Sequence, residues 1–263
     1  MNGRLALRLA AIGYVLLLLA LPVGLIVYRA FAGGVPAAWQ AMTNPDALHA
    51  LWLTALIALI AVPLNAAFGV LCSIVLVRHN IRGKAFLGAL VDLPLGLSPV
   101  VVGLALVVVY GRYGWLGPWL ADRGYAVIFA VPGMVLATIL VTLPFVVRET
   151  VPVLHEIGTD QEQAAATLGA SPLQIFMRIT LPAIRSGVGY GVVLTTARAL
   201  GEFGAVSVVS GNIIGETQTL TLYVQDRFQS FDSTGAYTAS LELAVLALLI
   251  LPLMSLLRKK ERS

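Results

Sequence analysis

Charge is what this chain has least of. Only 11% of its 263 residues are Asp, Glu, Lys or Arg, against roughly 25% in soluble domains. Hydrophobic residues make up 59% and the mean hydropathy is +0.90. Such a chain cannot cover a water-facing surface with polar groups, so a soluble globular fold is excluded and lipid is the expected solvent. Cysteine is nearly absent. Cys72 is the single one, so no intrachain disulfide exists and redox compartment is left open. Catalytic signatures are missing too. No G-x-x-x-x-G-K-[ST] loop occurs, which removes ATP binding through a P-loop. There is no G-x-S-x-G nucleophile turn or H-E-x-x-H pair. His49, His79 and His155 are scattered over separate segments. The chain reads as non-enzymatic, with no cofactor and no metal site, so any energy must come from a partner.

What is present is a series of long apolar runs. A membrane helix needs about 20 mostly apolar residues, and six stretches qualify: 9–31, 50–77, 86–110, 125–147, 188–209 and 237–257. The run after Arg4 and Arg8 is too long for the roughly 7–15-residue core of a cleaved signal. It is therefore expected to be a retained first span. Pro22, Pro63, Pro94, Pro99, Pro132, Pro144 and Pro252 fall within or at the ends of these runs, and a bundle can satisfy the carbonyls they free. No internal repeat is visible.

The net charge of +4 does not point to nucleic acid, because the charges sit in short clusters between apolar runs. With the N-terminus inside, twelve Lys and Arg fall on inner segments and four on outer ones, Arg29, Arg112, Arg123 and Arg227, while Arg198 is intramembrane. Inner segments of membrane proteins carry the positive excess, so both termini are expected to be cytoplasmic. The basic run Arg258–Arg262 is then a topological anchor.

One inner segment, Arg148 to Ser186, exceeds what a turn requires. Thr159 with Glu162, or Asp160 with Gln163, fits a capping box opening a short helix, and Gly169 suits its left-handed end. Ser171, Pro172 and Gln174 signal a second helix, on which Leu173, Ile175, Phe176 and Ile179 form an apolar stripe. Leu181-Pro182 is expected to stop it. A helix pair beneath a bundle can pack on its own bundle or enter a groove on a partner, and composition does not choose.

The spacing Gln163-Ala164-Ala165-x3-Gly169-x9-Ile179-x-Leu181-Pro182 closely resembles the E-A-A-x3-G-x9-I-x-L-P loop of bacterial ABC-importer permeases. That resemblance implies an all-α integral membrane protein of six transmembrane helices with the type I, MetI-like permease fold. Residues 1–263 would form one transmembrane permease domain, with 160–182 as its coupling helices. Glu162, Gln163, Ala164, Ala165, Gly169, Ile179, Leu181 and Pro182 would dock an ATP-binding cassette ATPase dimer. Gln163 stands where the family has an acidic residue and Glu162 lies one place earlier, so Gln163 could keep a hydrogen bond but not the charge. The block Ala197-Arg198-x-x-Gly201-Glu202-Phe203-Gly204-Ala205-Val206-Ser207-Val208-Val209-Ser210-Gly211 resembles sulfate/thiosulfate permeases of the W type. Implied partners are a T-type second permease and a periplasmic sulfate-binding protein, in the bacterial inner membrane. A molybdate or tungstate permease shares the shorter core of this block. An ion-coupled secondary transporter, a rival of another class, would show repeated halves.

Within that block Arg198 and Glu202 are four apart and are expected to pair on one helix face. Either they neutralise each other structurally or Arg198 adds positive potential to an oxyanion path. Ser207 and Ser210 are candidate hydroxyl donors on that path, as are Ser98, Thr195 and Thr196. For any single one, a bond to its own helix backbone is the favoured reading. Gly201, Gly204 and Gly211 suit close helix packing. Asp92 and Glu242 are intramembrane acids whose charge would repel a dianion, so polar neighbours or a partner subunit are expected to hold them. Leu220 to Phe228 is expected to form a helix along the outer face.

Overall fold

The computed structural model describes residues 3–80 and 82–259, with side chains described between 7 and 249. All regular structure among them is helical. α1 comprises Gly3–Val15, Leu16–Ala20 and Leu21–Ala30 in one continuous run. α2 (Val35–Met42) is short. α3 (Pro45–Arg78) is the longest, opened by Asn44, whose side chain accepts from the Asp46 N–H at 2.9 Å. α4 (Lys84–Gly96), α5 (Pro99–Tyr110) and α6 (Gly117–Ala121) follow. α7 spans Val131–Ile157 and α8 Asp160–Thr167. α9 comprises Pro172–Ile175, Phe176–Thr180 and Leu181–Ala183. α10 (Arg185–Leu200), α11 (Gly204–Val209), α12 (Leu220–Gln229) and α13 (Ser233–Lys259) complete the chain.

By length and composition, Leu7–Ala30, Pro45–Arg78 and Val131–Ile157 can each cross a membrane, and α4 with α5 makes a fourth span if that bent pair is one. The expected span 86–110 is not straight: it bends by 114° between Gly96 and Pro99. The residue before a proline is pushed into extended backbone, and Ser98 takes φ −62, ψ 136. The span expected at 125–147 begins at Val131 and runs on to Ile157, which places Arg148 inside a helix rather than in a loop. The span expected at 188–209 breaks at residues 201–203. These departures are compatible with a six-span layout. Of the C-terminal basic run, Arg258 and Lys259 end α13, while Lys260 and Arg262 lie outside the described residues.

Lipid removes the hydrophobic drive between helices, so association relies on close packing and interhelical hydrogen bonds. Both are present. α3, α7 and α10 meet at Val146: a Cβ on Gly69 would lie 2.6 Å from Val146 Cβ, and one on Gly191 2.6 Å from its Cα. Asn65, fully buried, donates to Ile139 O at 3.1 Å and to Thr142 Oγ1 at 2.7 Å across α3 and α7. One apolar core joins Leu53, Ile57, Leu106, Met134, Val206 and Leu222 at one end of the bundle. Another joins Val70, Leu154 and Ile184, with Phe176 packed on it, at the other. α12 forms where expected. Its first N–H donates to Thr54 Oγ1 at 2.8 Å, and Arg227 reaches Asp46 at 3.5 Å. The first part of α1 is open, with Leu9 and Leu17 more than half exposed, whereas its last part, Leu21–Ala30, packs against α13 and buries Ala30.

Two prolines are accommodated by one device. Leu16–Ala20 and Phe176–Thr180 are both π turns, each followed by Leu-Pro, and the Leu N–H bonds five residues back, Leu21 to Leu16 and Leu181 to Phe176. A proline has no N–H and its ring collides with the carbonyl four residues earlier, whereas a π turn widens the helix there. Pro182 therefore does not stop α9 as expected. The helix passes through it to Ala183 and breaks only at Ile184.

Candidate functional site

The loop between α7 and α10 is a helical hairpin. Ser171 builds the expected capping box: its hydroxyl accepts from the Gln174 N–H at 3.4 Å, and Gln174 Oε1 accepts from the Ser171 N–H at 2.9 Å. α8 ends on Gly169 at φ 83. Gly169 donates to Ala166 O and Ala170 to Ala165 O, both at 3.0 Å, the paired bonds that close a helix on a left-handed glycine. No atom lies within 4 Å of a Cβ built there, so within this chain the backbone angle alone calls for glycine.

The start of α8 departs from the expected capping box. Thr159 makes no side-chain cap bond; its hydroxyl instead accepts from Gln163 Nε2 at 2.9 Å. Glu162 is drawn elsewhere. Its Oε2 lies 2.9 Å from Arg78 Nε, and its Oε1 accepts from Arg78 Nη2 at 3.3 Å and from Thr180 Oγ1 at 2.7 Å. Arg78 also donates to Leu154 O at 3.0 Å and to Gly158 O at 2.6 Å. Those carbonyls belong to the end of α7, where helices leave acceptors unpaired and where the dipole favours a cation. One guanidinium thus ties α3, α7 and α8, and the carboxylate it holds carries the tie on to α9. The acidic charge missing at 163 is therefore retained at 162 but turned inward. Arg78 and Thr180 were missed by sequence reasoning. Arg78 was legible only as topological charge, and a threonine just before Leu-Pro was the sole hint of the other.

The docking candidates divide by exposure. Gln163, Ala164, Gly169 and Pro182 are exposed, whereas Glu162, Ala165, Ile179 and Leu181 are half-buried. Of the expected stripe, Phe176 packs into the core with Val70 and Leu154, but Leu173 is 70% exposed. With Leu168 at 88% and Met177 at 55%, the hairpin presents apolar side chains that no other described residue covers.

At the break between α10 and α11, Arg198 Nη1 lies 2.6 Å from Glu202 Oε2. The pair is not on one helix face as expected, because α10 ends at Leu200 and Glu202 lies beyond it. Glu202 is 3% exposed, and its Oε1 accepts from the Ala205 N–H at 2.9 Å. The carboxylate supplies both a counter-ion for Arg198 and a cap for α11. Ser207 donates to Gly204 O at 2.9 Å, and Ser210 Oγ accepts from the Asn212 N–H at 3.0 Å. Thr196 likewise bonds Val192 O at 2.7 Å. These hydroxyls serve local backbone. α11 crosses α5 closely: a Cβ on Gly204 would meet Pro99 Cβ at 2.9 Å, and one on Gly103 would meet Ala205 O at 2.8 Å. Gly201 makes no such approach, and Gly211 turns the chain at φ 75 beside Phe129. Asp92 is held within the chain by Arg148, Nε to Oδ1 at 2.9 Å. Glu242 Oε2 is buried with no hydrogen-bond partner among the described residues.

Comparison with known proteins bears on the family and the fold. The chain is 49% identical over 250 residues to the sulfate transport system permease protein CysW of Synechocystis sp., covering 95% of this chain and 91% of that one. It is 48% identical to CysW of Escherichia coli, over 92% of this chain and 83% of the other. Against the sulfate transport system permease protein CysT of Escherichia coli it is 37% identical, over 90% and 86%. Among solved structures, a bacterial ABC transporter involved in import of the acidic polysaccharide alginate superimposes with a TM-score of 0.79 at 19% identity, covering 97% of this chain and 94% of that one. The inward-facing MetNI methionine ABC transporter gives 0.58 at 19%, over 86% and 98%. Both show a shared MetI-like permease fold. Residues 65–262 match the model of the binding-protein-dependent transport system inner membrane component. The match spans most of the chain, and the chain belongs to that family of multi-pass inner-membrane permease components.

Proposed function

We propose that this chain is the W-type permease subunit of an ATP-driven sulfate/thiosulfate importer. The identity gap carries this reading: 48–49% to CysW proteins against 37% to CysT, each over at least 90% of this chain. The chain pairs with a T-type permease, two ATP-binding cassette subunits and a periplasmic sulfate-binding protein. ATP is hydrolysed by the partner, and this subunit is not an enzyme. Residues 1–263 act as one permease domain, with both termini cytoplasmic. The 160–182 hairpin meets the ATPase through Gln163, Ala164, Ala165 and Gly169, with Leu168 and Leu173 as apolar contacts. Arg198 and Glu202 hold the break at residues 201–203, with Ser207 and Ser210 beside the translocation path, and their mutual bonding favours a structural role over direct anion contact.

Reconstituting the chain with its T-type partner, the ATPase and the sulfate-binding protein tests this. ATP-dependent uptake of labelled sulfate, competed by thiosulfate and not by molybdate, is expected. Preferential competition by molybdate would reassign the cargo, and uptake without any ATPase would reassign the class.

A further inference from the structure

Two backbone joints connect the hairpin to the bundle. Ile184 (φ −90, ψ 1) is fully buried and packs with Val70 and Leu154. Gly158 (φ 63, ψ −160) is a glycine, free to hinge, and no Cβ-sized contact surrounds it. Arg78 pins this second joint directly, through the 2.6 Å bond to Gly158 O. Its guanidinium simultaneously holds Leu154 O and Glu162, and Glu162 holds Thr180. The Arg78 and Glu162 side chains are 12% and 18% exposed, which limits screening by water and salt. A planar fork can satisfy two carbonyls and a carboxylate at once, which a lysine ammonium cannot do in the same geometry.

We propose that Arg78, Glu162 and Thr180 are positioning residues that make the hairpin move as one body with the ends of α3 and α7. This rests on the transport reading above. A push on the hairpin from the ATPase then reaches α3 and α7 directly. Without the cluster, Gly158 absorbs the stroke and ATP is spent without transport. Glu162 serves this internal tie rather than the surface of the partner.

The test compares sulfate uptake per ATP hydrolysed in the reconstituted complex. Thr180→Val keeps the shape and loses the hydroxyl, so it should leave ATPase co-purification and hydrolysis in place. A bond to a charged group is lost, and uptake per ATP should fall roughly tenfold. Thr180→Ser should restore it. Arg78→Lys, which keeps the charge, should behave like Thr180→Val. Glu162→Gln combined with Thr180→Val should be no worse than the poorer single change, since the two share one interaction. Unchanged uptake per ATP in an intact Thr180→Val complex overturns the proposal. So does loss of the ATPase, or a Thr180→Val chain that cannot be isolated, because either makes the cluster merely structural. If Arg78→Lys is poorly made, Thr180→Val decides alone. A wild-type complex that takes up no sulfate overturns the transport reading, and this inference with it.

Discussion

Glu202 is a carboxylate at 3% exposure inside a membrane bundle, and two bonds keep it there, one from Arg198 and one from the Ala205 N–H. Removing one partner of a buried ion pair costs about 3–5 kcal/mol. Arg198→Ala should therefore lower the thermal stability and yield of the subunit, and Arg198→Ala with Glu202→Gln should recover part of it. Normal assembly of Arg198→Ala with a raised KM for sulfate would instead mean that Arg198 touches the anion. Gly169 presents a different constraint. At φ 83 a side chain costs about 1–2 kcal/mol, more when β-branched. Gly169→Val should leave insertion intact, weaken ATPase retention and abolish uptake. Retention and uptake at wild-type levels, with equal expression, would remove the hairpin from the coupling role. The neighbouring Gln163→Glu should be tolerated, since Gln163 is exposed and bonds only Thr159 in its own turn.

Among the elements, α5 and α11 are the two that hydropathy describes least well. Each is the second half of a broken apolar run, and they cross where Gly103 faces Ala205 and Gly204 faces Pro99. Overpacking of this kind costs about 1–3 kcal/mol. Gly204→Val should lower the detergent melting temperature while leaving membrane insertion unchanged. An unaltered melting temperature would show that the crossing can spread without cost. The π turns before Pro22 and Pro182 belong to the same scale. Sequence reasoning treated Leu181-Pro182 as a stop because a proline removes one N–H. It did not see that the five residues Phe176–Thr180 could widen into a turn that makes room for the proline ring.

For the whole molecule, charge distribution and bundle geometry make separable statements about the membrane. Arg78 and Arg82, at the hairpin end of α3, sit among inner-segment charges, whereas Asp122 follows α6 at the opposite end. A reporter fused after Arg82 should be cytoplasmic and one near Asp122 periplasmic. The reverse at either site would overturn the proposed orientation, although the fold itself would stand. α1 reads as a span from composition alone, since Leu7–Ala30 is long and apolar and its most apolar 18-residue stretch has no buried residue. Its exposed leucines are consistent with lipid or a partner subunit as its surroundings.

The amino-acid sequence by itself determined the solvent, the helical class and the hairpin with its Ser171 cap and Gly169 turn, because hydropathy, capping and backbone preference act over a few residues. It also carried the permease motif, since that motif is a spacing. Tertiary structure decided what depends on distant chain segments. Arg78 reaches Glu162 across 84 positions, and Asp92 meets Arg148 across 56. No local pattern encodes such partners, because they sit on helices distant in sequence that meet only in the packed bundle. The breaks at residues 97–98 and 201–203 escaped for a related reason. Both halves of each run are apolar, so a hydropathy window is blind to a bend between them; Pro99 sets the first bend locally, whereas Glu202 and close packing hold the second.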